Sequence, residues 1–308
     1  MSDNYLPDGD TPMLTRRQML CRSALIVAAA SLPAGAIAAA PPASVPRVAA
    51  LEWSAVETLY ALGITPVAVS DIRGYHDWVA APVLPPQVTE LGLRTEPNLE
   101  LLASLSPDLL ILPDHSALPV SRLQQIAPVW EYSFREPGET LLNTARDNIL
   151  QLALRLHRET QAQQFLTGFR QQMAGYRRQL APMAGKKILM FTLLSPRQVL
   201  VLTHDSLFGE VLAATGLECA WQGATSLWGS VIVGTEQLLT CQADIALQFS
   251  HHDTSVTTAL AGSPLWQQMP FNQQHRRYLL DPVWLYGGLC SALRFAGALA
   301  RSAGEWHA

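Results

Sequence analysis

Pro97-Asn98-Leu99-Glu100-Leu101-Leu102-Ala103-Ser104-Leu105-Ser106-Pro107-Asp108-Leu109-Leu110-Ile111 and Thr235-Glu236-Gln237-Leu238-Leu239-Thr240-Cys241-Gln242-Ala243-Asp244-Ile245-Ala246-Leu247 read as two versions of one unit. Each has a Leu-Leu pair on a short helix, then an Asp that opens an apolar strand. The second is one residue shorter between the pair and the Asp. In the first, Pro97 opens the helix where a missing N–H costs nothing. Leu99, Leu102 and Leu105 mark its apolar stripe, and Pro107 ends it before a strand at 108–112. The second predicts helix 235–240 and strand 244–249. A unit repeated on either side of the chain's middle implies two similar lobes.

Working outward, 47–51 reads as a buried strand. Ser54-Ala55-Val56-Glu57 follows with capping-box spacing, and Gly63 stops the helix. A second strand lies at 66–70 and a helix around 121–126. Beyond the middle come strands 187–194 and 199–202, a helix at 206–215 closed by Gly216, and a terminal helix near 287–303. This β–α alternation predicts an α/β fold with mostly parallel sheets. The stretch 139–180 is helical, punctuated by a polar segment at 158–164 and by Gly168 and Gly175, and nothing in it makes a loose linker. The expected architecture is two Rossmann-like lobes, 41–138 and 182–308, joined through a helical segment, 139–181, that includes one long inter-lobe helix. Ligands of such folds lie in the cleft, beyond the carboxyl ends of the strands.

The first forty residues differ from the rest. Thr15-Arg16-Arg17-Gln18-Met19-Leu20 precedes an alanine-rich apolar run, 24–40, that contains Pro33 and Gly35. Paired arginines before a moderately apolar run predict a cleaved twin-arginine signal peptide over 1–40 rather than a membrane anchor. Cys21 lies ahead of the run, whereas a lipoprotein cysteine follows it, so the mature chain is expected soluble in the periplasm. The 308 residues carry a formal charge of −4 with 15% charged side chains, which gives no basic excess for nucleic acid. Cys219, Cys241 and Cys290 are an odd number without a Cys-x-x-C pair, which argues against a disulfide framework or a structural zinc site. Whether two of them pair is left open.

The loops ahead of the two repeated helices, 91–96 and 226–230, offer Arg94 on one side and Trp228 with Ser230 on the other. Facing lobes bring both into the cleft. Trp53, Trp78, Trp221, Trp284 and Tyr286 sit near predicted strand ends or helix starts. A guanidinium among aromatic walls suits a chelate whose metal is already enclosed by oxygen atoms, because such a carrier needs no metal ligands of its own. The rival is direct metal binding by His251-His252-Asp253, with His204 and Asp205 elsewhere, but a bare-metal cage needs about four convergent ligands and His76 and His115 stand isolated. Gly-x-Ser-x-Gly, His-Glu-x-x-His and Gly-x-x-x-x-Gly-Lys-Ser/Thr are absent, so no enzyme is expected. Glu52 and Asp71 read as helix-start or strand-end residues rather than an acid–base pair.

Val48–Trp53, Gly92–Leu102, Asp205–Phe208, Ala220–Gly223, Trp228–Ser230, Pro264–Gln267 and Val283–Gly287 together resemble the periplasmic ferric hydroxamate-binding proteins of the FhuD type over essentially the whole chain. The resemblance implies the class III periplasmic binding protein fold, no intrinsic cofactor, and an iron(III)–hydroxamate siderophore as ligand. It also implies delivery by a monomer to an inner-membrane ABC permease with its ATPase. It carries the family's hydroxamate-contacting arginine onto Arg94 and the pocket aromatics onto Trp53, Trp78, Trp228, Trp284 and Tyr286. Asp71, Thr192, Leu200 and Ser230 match further lining positions. Ser116 stands where the family has a tyrosine and Ser226 where it has an asparagine, with His115 adjacent as a substitute for the tyrosine. Glu236 matches the acid that docks the second lobe, and Ser121 falls at the first-lobe counterpart. Which hydroxamate is preferred is left open, as are a carrier for cobalamin or haem on the same scaffold and a siderophore-processing enzyme.

Overall fold

The computed structural model describes residues 45–250 and 255–306. The expected signal peptide and the His251-His252-Asp253 cluster therefore lie outside the described residues. No helix among those described is long and apolar enough to cross a membrane.

The first lobe is built on strands β1 (Val48–Ala50), β2 (Ala68–Val69), β3 (Thr89–Glu90), β6 (Leu109–Pro113) and β7 (Val129–Tyr132), in the order β3-β2-β1-β6-β7 with every pairing parallel. Between them run helices α1 (Trp53–Ala61), α2 (Ile72–Trp78), α3 (Leu99–Ser104) and α4 (Val120–Leu123). β6 is buried along its whole length, which is why it reads as a continuous apolar run. Strands β4 (Gly92–Leu93) and β5 (Glu96–Pro97) form a hairpin with Arg94 and Thr95 at its turn.

The second lobe holds β8 (Lys187–Ser195), β9 (Gln198–Leu202), β10 (Glu218–Cys219), β11 (Ser230–Gly234), β12 (Ile245–Phe249) and β13 (Arg277–Leu280). The order is β11-β9-β8-β12-β13, with β10 beside β8. Here the parallel expectation gives way: β9 runs antiparallel to both β8 and β11, because a two-residue turn at Pro196-Arg197 leaves no room for a crossover. The repeated units do occupy equivalent places, since β6 pairs with β1 and β7 as β12 pairs with β8 and β13. The second unit's helix is a 3-10 turn, Thr235–Thr240.

Helices α5 (Leu141–Leu156) and α6 (Glu159–Leu180) join the lobes, followed later by α7 (Leu207–Thr215), the short α8 (Ser255–Ala261), α9 (Pro264–Gln267) and α10 (Pro270–Gln273), and α11 (Leu289–Ser302). The helical stretch expected over 139–180 divides at His157, just ahead of the polar segment that punctuates it, where a φ of 53° puts the histidine in the left-handed region. The 22 residues of α6 still extend about 33 Å. It does not span the lobes alone. Ile149 of α5, Leu166 of α6 and Leu289 of α11 enter the first lobe's core, while Leu141, Leu180 and Phe295 of the same three helices enter the second's.

Two local expectations fail for physical reasons. Pro97 pairs with Gly92 in the hairpin, and Asn98 caps α3 through Oδ1 on the Leu101 N–H at 2.9 Å. The Ser54–Glu57 capping box does not form, because Glu52 is the cap of α1 and both box residues have tertiary partners. Glu57 reaches from the first lobe to the N-terminus of α11, accepting from the Gly288 N–H at 3.2 Å and the Ser291 hydroxyl at 2.6 Å. Glu210 of α7 likewise caps α5, accepting from the N–H groups of Leu141 (2.7 Å) and Leu142 (2.8 Å). Burial lifts both carboxyls above their ordinary range, Glu57 to about 7.

Candidate functional site

The cleft between the lobes contains a cavity of about 370 Å³ lined by Glu52, Ser54, Arg94, His115, Tyr132, Phe134, Trp228, Trp284 and Tyr286. The first-lobe side chains follow the carboxyl ends of parallel strands: Glu52 after β1, His115 after β6, Tyr132 and Phe134 at and beyond β7. The Arg94 hairpin follows β3.

Arg94 is held at the cavity wall by a defined set of contacts. Its guanidinium lies over the Trp53 ring, 3.6 Å from the centroid, and 5.4 Å from that of Trp284. Nη1 donates to Glu52 Oε1 at 2.9 Å, and Nε stands 3.9 Å from Asp71 Oδ2. Nη2 has no acceptor among the described residues. Glu52 is itself fixed: its other oxygen accepts from the Ser54 N–H (2.6 Å) and hydroxyl (2.7 Å), with the Tyr132 phenol at 3.4 Å. The Ser54 and Tyr132 hydroxyls share a short hydrogen bond. Burial raises the Tyr132 phenol well above its usual value, so it keeps its proton as a donor in this chain.

The opposite wall comes from the second lobe. Trp228 meets His115 at 4.6 Å, Phe134 at 4.8 Å and Tyr286 at 5.9 Å between ring centroids, so the aromatic surface runs across the lobe boundary. Its loop is anchored from both sides. Arg135 donates to the carbonyls of Leu227 (3.2 Å) and Asp205 (2.5 Å). Gly229, at φ 69°, lies against the backbone of Asp205 and Ser206, where a Cβ would collide. The Tyr286 phenol, raised by burial, shares a 3.0 Å hydrogen bond with the buried Ser230 hydroxyl.

The structure therefore brings Arg94, Trp228, Trp284 and Tyr286 together around one cavity. Trp53 lies beneath Arg94, its Nε1 donating to the carbonyls of Ser70 and Asp71 at 3.1 Å each. Asp71 caps α2 and faces Arg94, and Ser230 backs Tyr286. Trp78, at the end of α2, packs against the first lobe's core. Thr192 is buried with its hydroxyl on the Phe249 carbonyl, Leu200 packs at the edge of the second core, and the Ser116 hydroxyl accepts from the Leu118 N–H. Of the cavity's lining, Glu52, Ser54, Tyr132 and Phe134 were not singled out from the sequence as ligand-binding. The i, i+2 spacing of Tyr132 and Phe134 at a strand's end is the signal that could have found the last two. The loop 226–229 enters strand β11 rather than a helix, so Trp228 reaches the cleft by a route the repeat did not predict. Among the described residues no group of three or more His, Cys, Asp or Glu side chains is placed to hold a metal ion.

Residues 48–283 match the model of the periplasmic binding protein family. The chain is 34% identical over 293 residues to the iron(3+)-hydroxamate-binding protein FhuD of Escherichia coli (strain K12), covering 95% of this chain and 98% of that one. It is 29% identical over 245 residues to the Fe(3+) dicitrate-binding periplasmic protein FecB of the same organism, covering 76% of each. The solved structure of Fe3+-Desferal-bound FhuD from Vibrio cholerae superposes with a TM-score of 0.78 at 29% identity, over 84% of this chain and 98% of that one. Two α/β lobes, a long helix between them and a match across nearly the full length of these relatives lead to one assignment: the chain belongs to the periplasmic binding protein family and has its class III, FhuD-like fold.

Proposed function

We propose that this protein is a soluble periplasmic carrier that binds iron(III)–hydroxamate siderophores in the inter-lobe cleft and delivers them, unchanged, to an inner-membrane ABC permease with its ATPase. The observation that carries the reading is Arg94, a partly exposed guanidinium with an unused fork edge, set against an indole face and opening onto an aromatic wall. A trihydroxamate encloses Fe(III) in six oxygens of its own, so the protein's task is to recognise those oxygens from outside. A planar guanidinium does so with charge-assisted hydrogen bonds, and Trp228, Trp284 and Tyr286 cover the organic scaffold at low entropy cost. The similarity to a relative named for iron(3+)-hydroxamate binding and to a siderophore-binding protein solved with Fe3+-Desferal supports the same ligand class.

The finer parts of the reading rest on the sequence and on its resemblance to FhuD-type carriers. Export by the twin-arginine route removes 1–40, and the monomer divides at 41–138, 139–181 and 182–308. Asp71, Trp53, Trp78, Thr192, Leu200, Ser230 and Ser116 flank or back the contact surface. Glu236, exposed on the first turn of the 3-10 helix, offers the second lobe's docking acid. The test is a tryptophan-fluorescence titration of the mature chain with ferrichrome, ferrioxamine B, cobalamin and haem in parallel. Saturable binding of an iron-loaded hydroxamate is expected. A chain that ignores both hydroxamates and captures cobalamin or haem overturns the reading.

A further inference from the structure

Trp284 and Tyr286 belong to no strand or helix, yet two of the cavity's aromatic walls depend on where they stand. The segment passes within four residues from Trp284 to Gly288, the cap position of α11, and there it meets the first lobe's Glu57. Both carboxyl oxygens are engaged, one on the Gly288 N–H and one on the Ser291 hydroxyl. Gly287 lies so close to this group that a Cβ would strike the Ser291 hydroxyl and Glu57 Oε2. Glu57 is completely buried and has no part in the recognition described above.

We propose that Glu57 is a positioning residue for the cleft: a carboxyl of the first lobe that caps the second lobe's last helix and thereby sets the Trp284–Tyr286 wall. The proposal rests on the cleft reading above. Other groups facing Glu57 leave it as the residue that couples this contact to pH. From α11, Arg294 lies near but is engaged with the carbonyls of Val79, Ala81 and Pro282, and Cys290 donates its thiol to the Glu57 carbonyl. From α2 comes the buried Tyr75 phenol, from β7 the buried Tyr132 phenol, and at the start of α1 stands Glu52. Desolvation makes the engaged carboxyl bind its proton more tightly than a water-exposed one, with a midpoint of about 7. Linkage then fixes the sign: the engaged state is favoured at low pH, and raising the pH through 7 favours release of the carboxyl to water and a loosened wall.

The experiment measures ferrioxamine B affinity of the mature wild type, Glu57→Gln and Ser291→Ala from pH 6 to 8.5. Wild-type affinity is expected to weaken by about threefold or more across that range, as release of the carboxyl predicts. Glu57→Gln keeps one oxygen to accept from the Gly288 N–H, turns the other contact into an amide donor to the Ser291 hydroxyl, and keeps the volume without a charge, so it should match wild type at pH 6 and stay flat. Ser291→Ala, which removes one of the two anchors, should bind more weakly at every pH. Parallel profiles for wild type and Glu57→Gln overturn the proposal. If wild type binds no ferric hydroxamate at any pH, the functional reading fails instead. The positioning role is then judged by acrylamide quenching of Trp284, taken as the difference from Trp284→Phe: quenching that rises with pH in wild type and not in Glu57→Gln upholds it, and equal profiles reject it.

Discussion

Replacing Arg94 with alanine removes the one cationic fork in the cavity lining, and the structure allows its effect to be sized. In the empty cleft Nη1 is already committed to Glu52 at 2.9 Å, so the ligand's gain is the hydrogen bonding of the free edge. One charge-assisted hydrogen bond contributes roughly 1.5–3 kcal/mol, which corresponds to about a 10- to 150-fold change in dissociation constant. The loss should fall toward the lower half of that span, because a third of the Arg94 side chain is in contact with solvent. Truncation also leaves the Glu52 carboxylate facing the bound oxygens without its counter-charge, which acts in the same direction. Arg94→Lys restores charge but neither the planar fork nor the stacking on Trp53, so its affinity should lie between the two. Fluorescence titration with iron-loaded ferrioxamine B reads the affinity. A thermal melt monitored by circular dichroism checks the fold, where loss of the Trp53 contact, on the order of 1 kcal/mol, lowers Tm by only a few degrees. An Arg94→Ala variant within threefold of wild type refutes the assignment of Arg94 as the recognition group.

Trp228→Ala should weaken ferric-hydroxamate binding by about fivefold or more, in keeping with a truncated aromatic anchor, while the melt of the empty protein stays near wild type. A collapsed melt would make Trp228 a core residue. Glu57→Gln should flatten the pH dependence of stability: burial lifts the native carboxyl to about 7 against 4.5 for the free group, so wild type loses stability as pH rises between those values, about 2 kcal/mol of it between pH 5.5 and pH 8, and the variant does not. Melts of both proteins at pH 5.5 and pH 8 test this, and equal losses contradict it. Gly229→Val should destabilise the 226–230 loop, since the new side chain meets the Ser206 backbone at a positive φ; unchanged affinity and melt would show that the loop accommodates it. Glu236→Arg should leave siderophore affinity unaltered and reduce transport in cells carrying the cognate permease, and undiminished transport removes Glu236 from docking.

The fully buried strands were the most legible part of the sequence. The run Leu109–Leu112 is apolar on both faces and is bracketed by Pro107 and Pro113, and Ile245–Phe249 is apolar except for Gln248 and is bracketed by Asp244 and Ser250. The edge strands β7, β11 and β13 carry exposed positions that dilute the pattern, and β3 is too short to have one. The break at His157 falls one residue before the polar segment 158–164, although a histidine, not a glycine or proline, takes the left-handed conformation there. Around the cleft, Arg94 and Trp228 stood out because a cation and an indole in loops call for explanation. Glu52 reads only as a helix-start or strand-end residue, and it does cap α1; its second role, holding Arg94, is a tertiary contact that spacing does not show. Glu57 was misread for the same reason: its spacing from Ser54 fits a local box, yet its hydrogen-bond partners lie more than two hundred residues away.

The crossed helix caps bear on how this molecule could be re-engineered. Transplanting either half onto a foreign scaffold would strand a buried carboxyl without donors and leave a long helix with bare N–H groups at its start, a pair of defects that each destabilise a domain. New ligand preferences are therefore better sought by rewriting the 92–97 hairpin and the 225–229 segment, which carry Arg94 and Trp228 to the cavity, while the chassis beneath them stays whole.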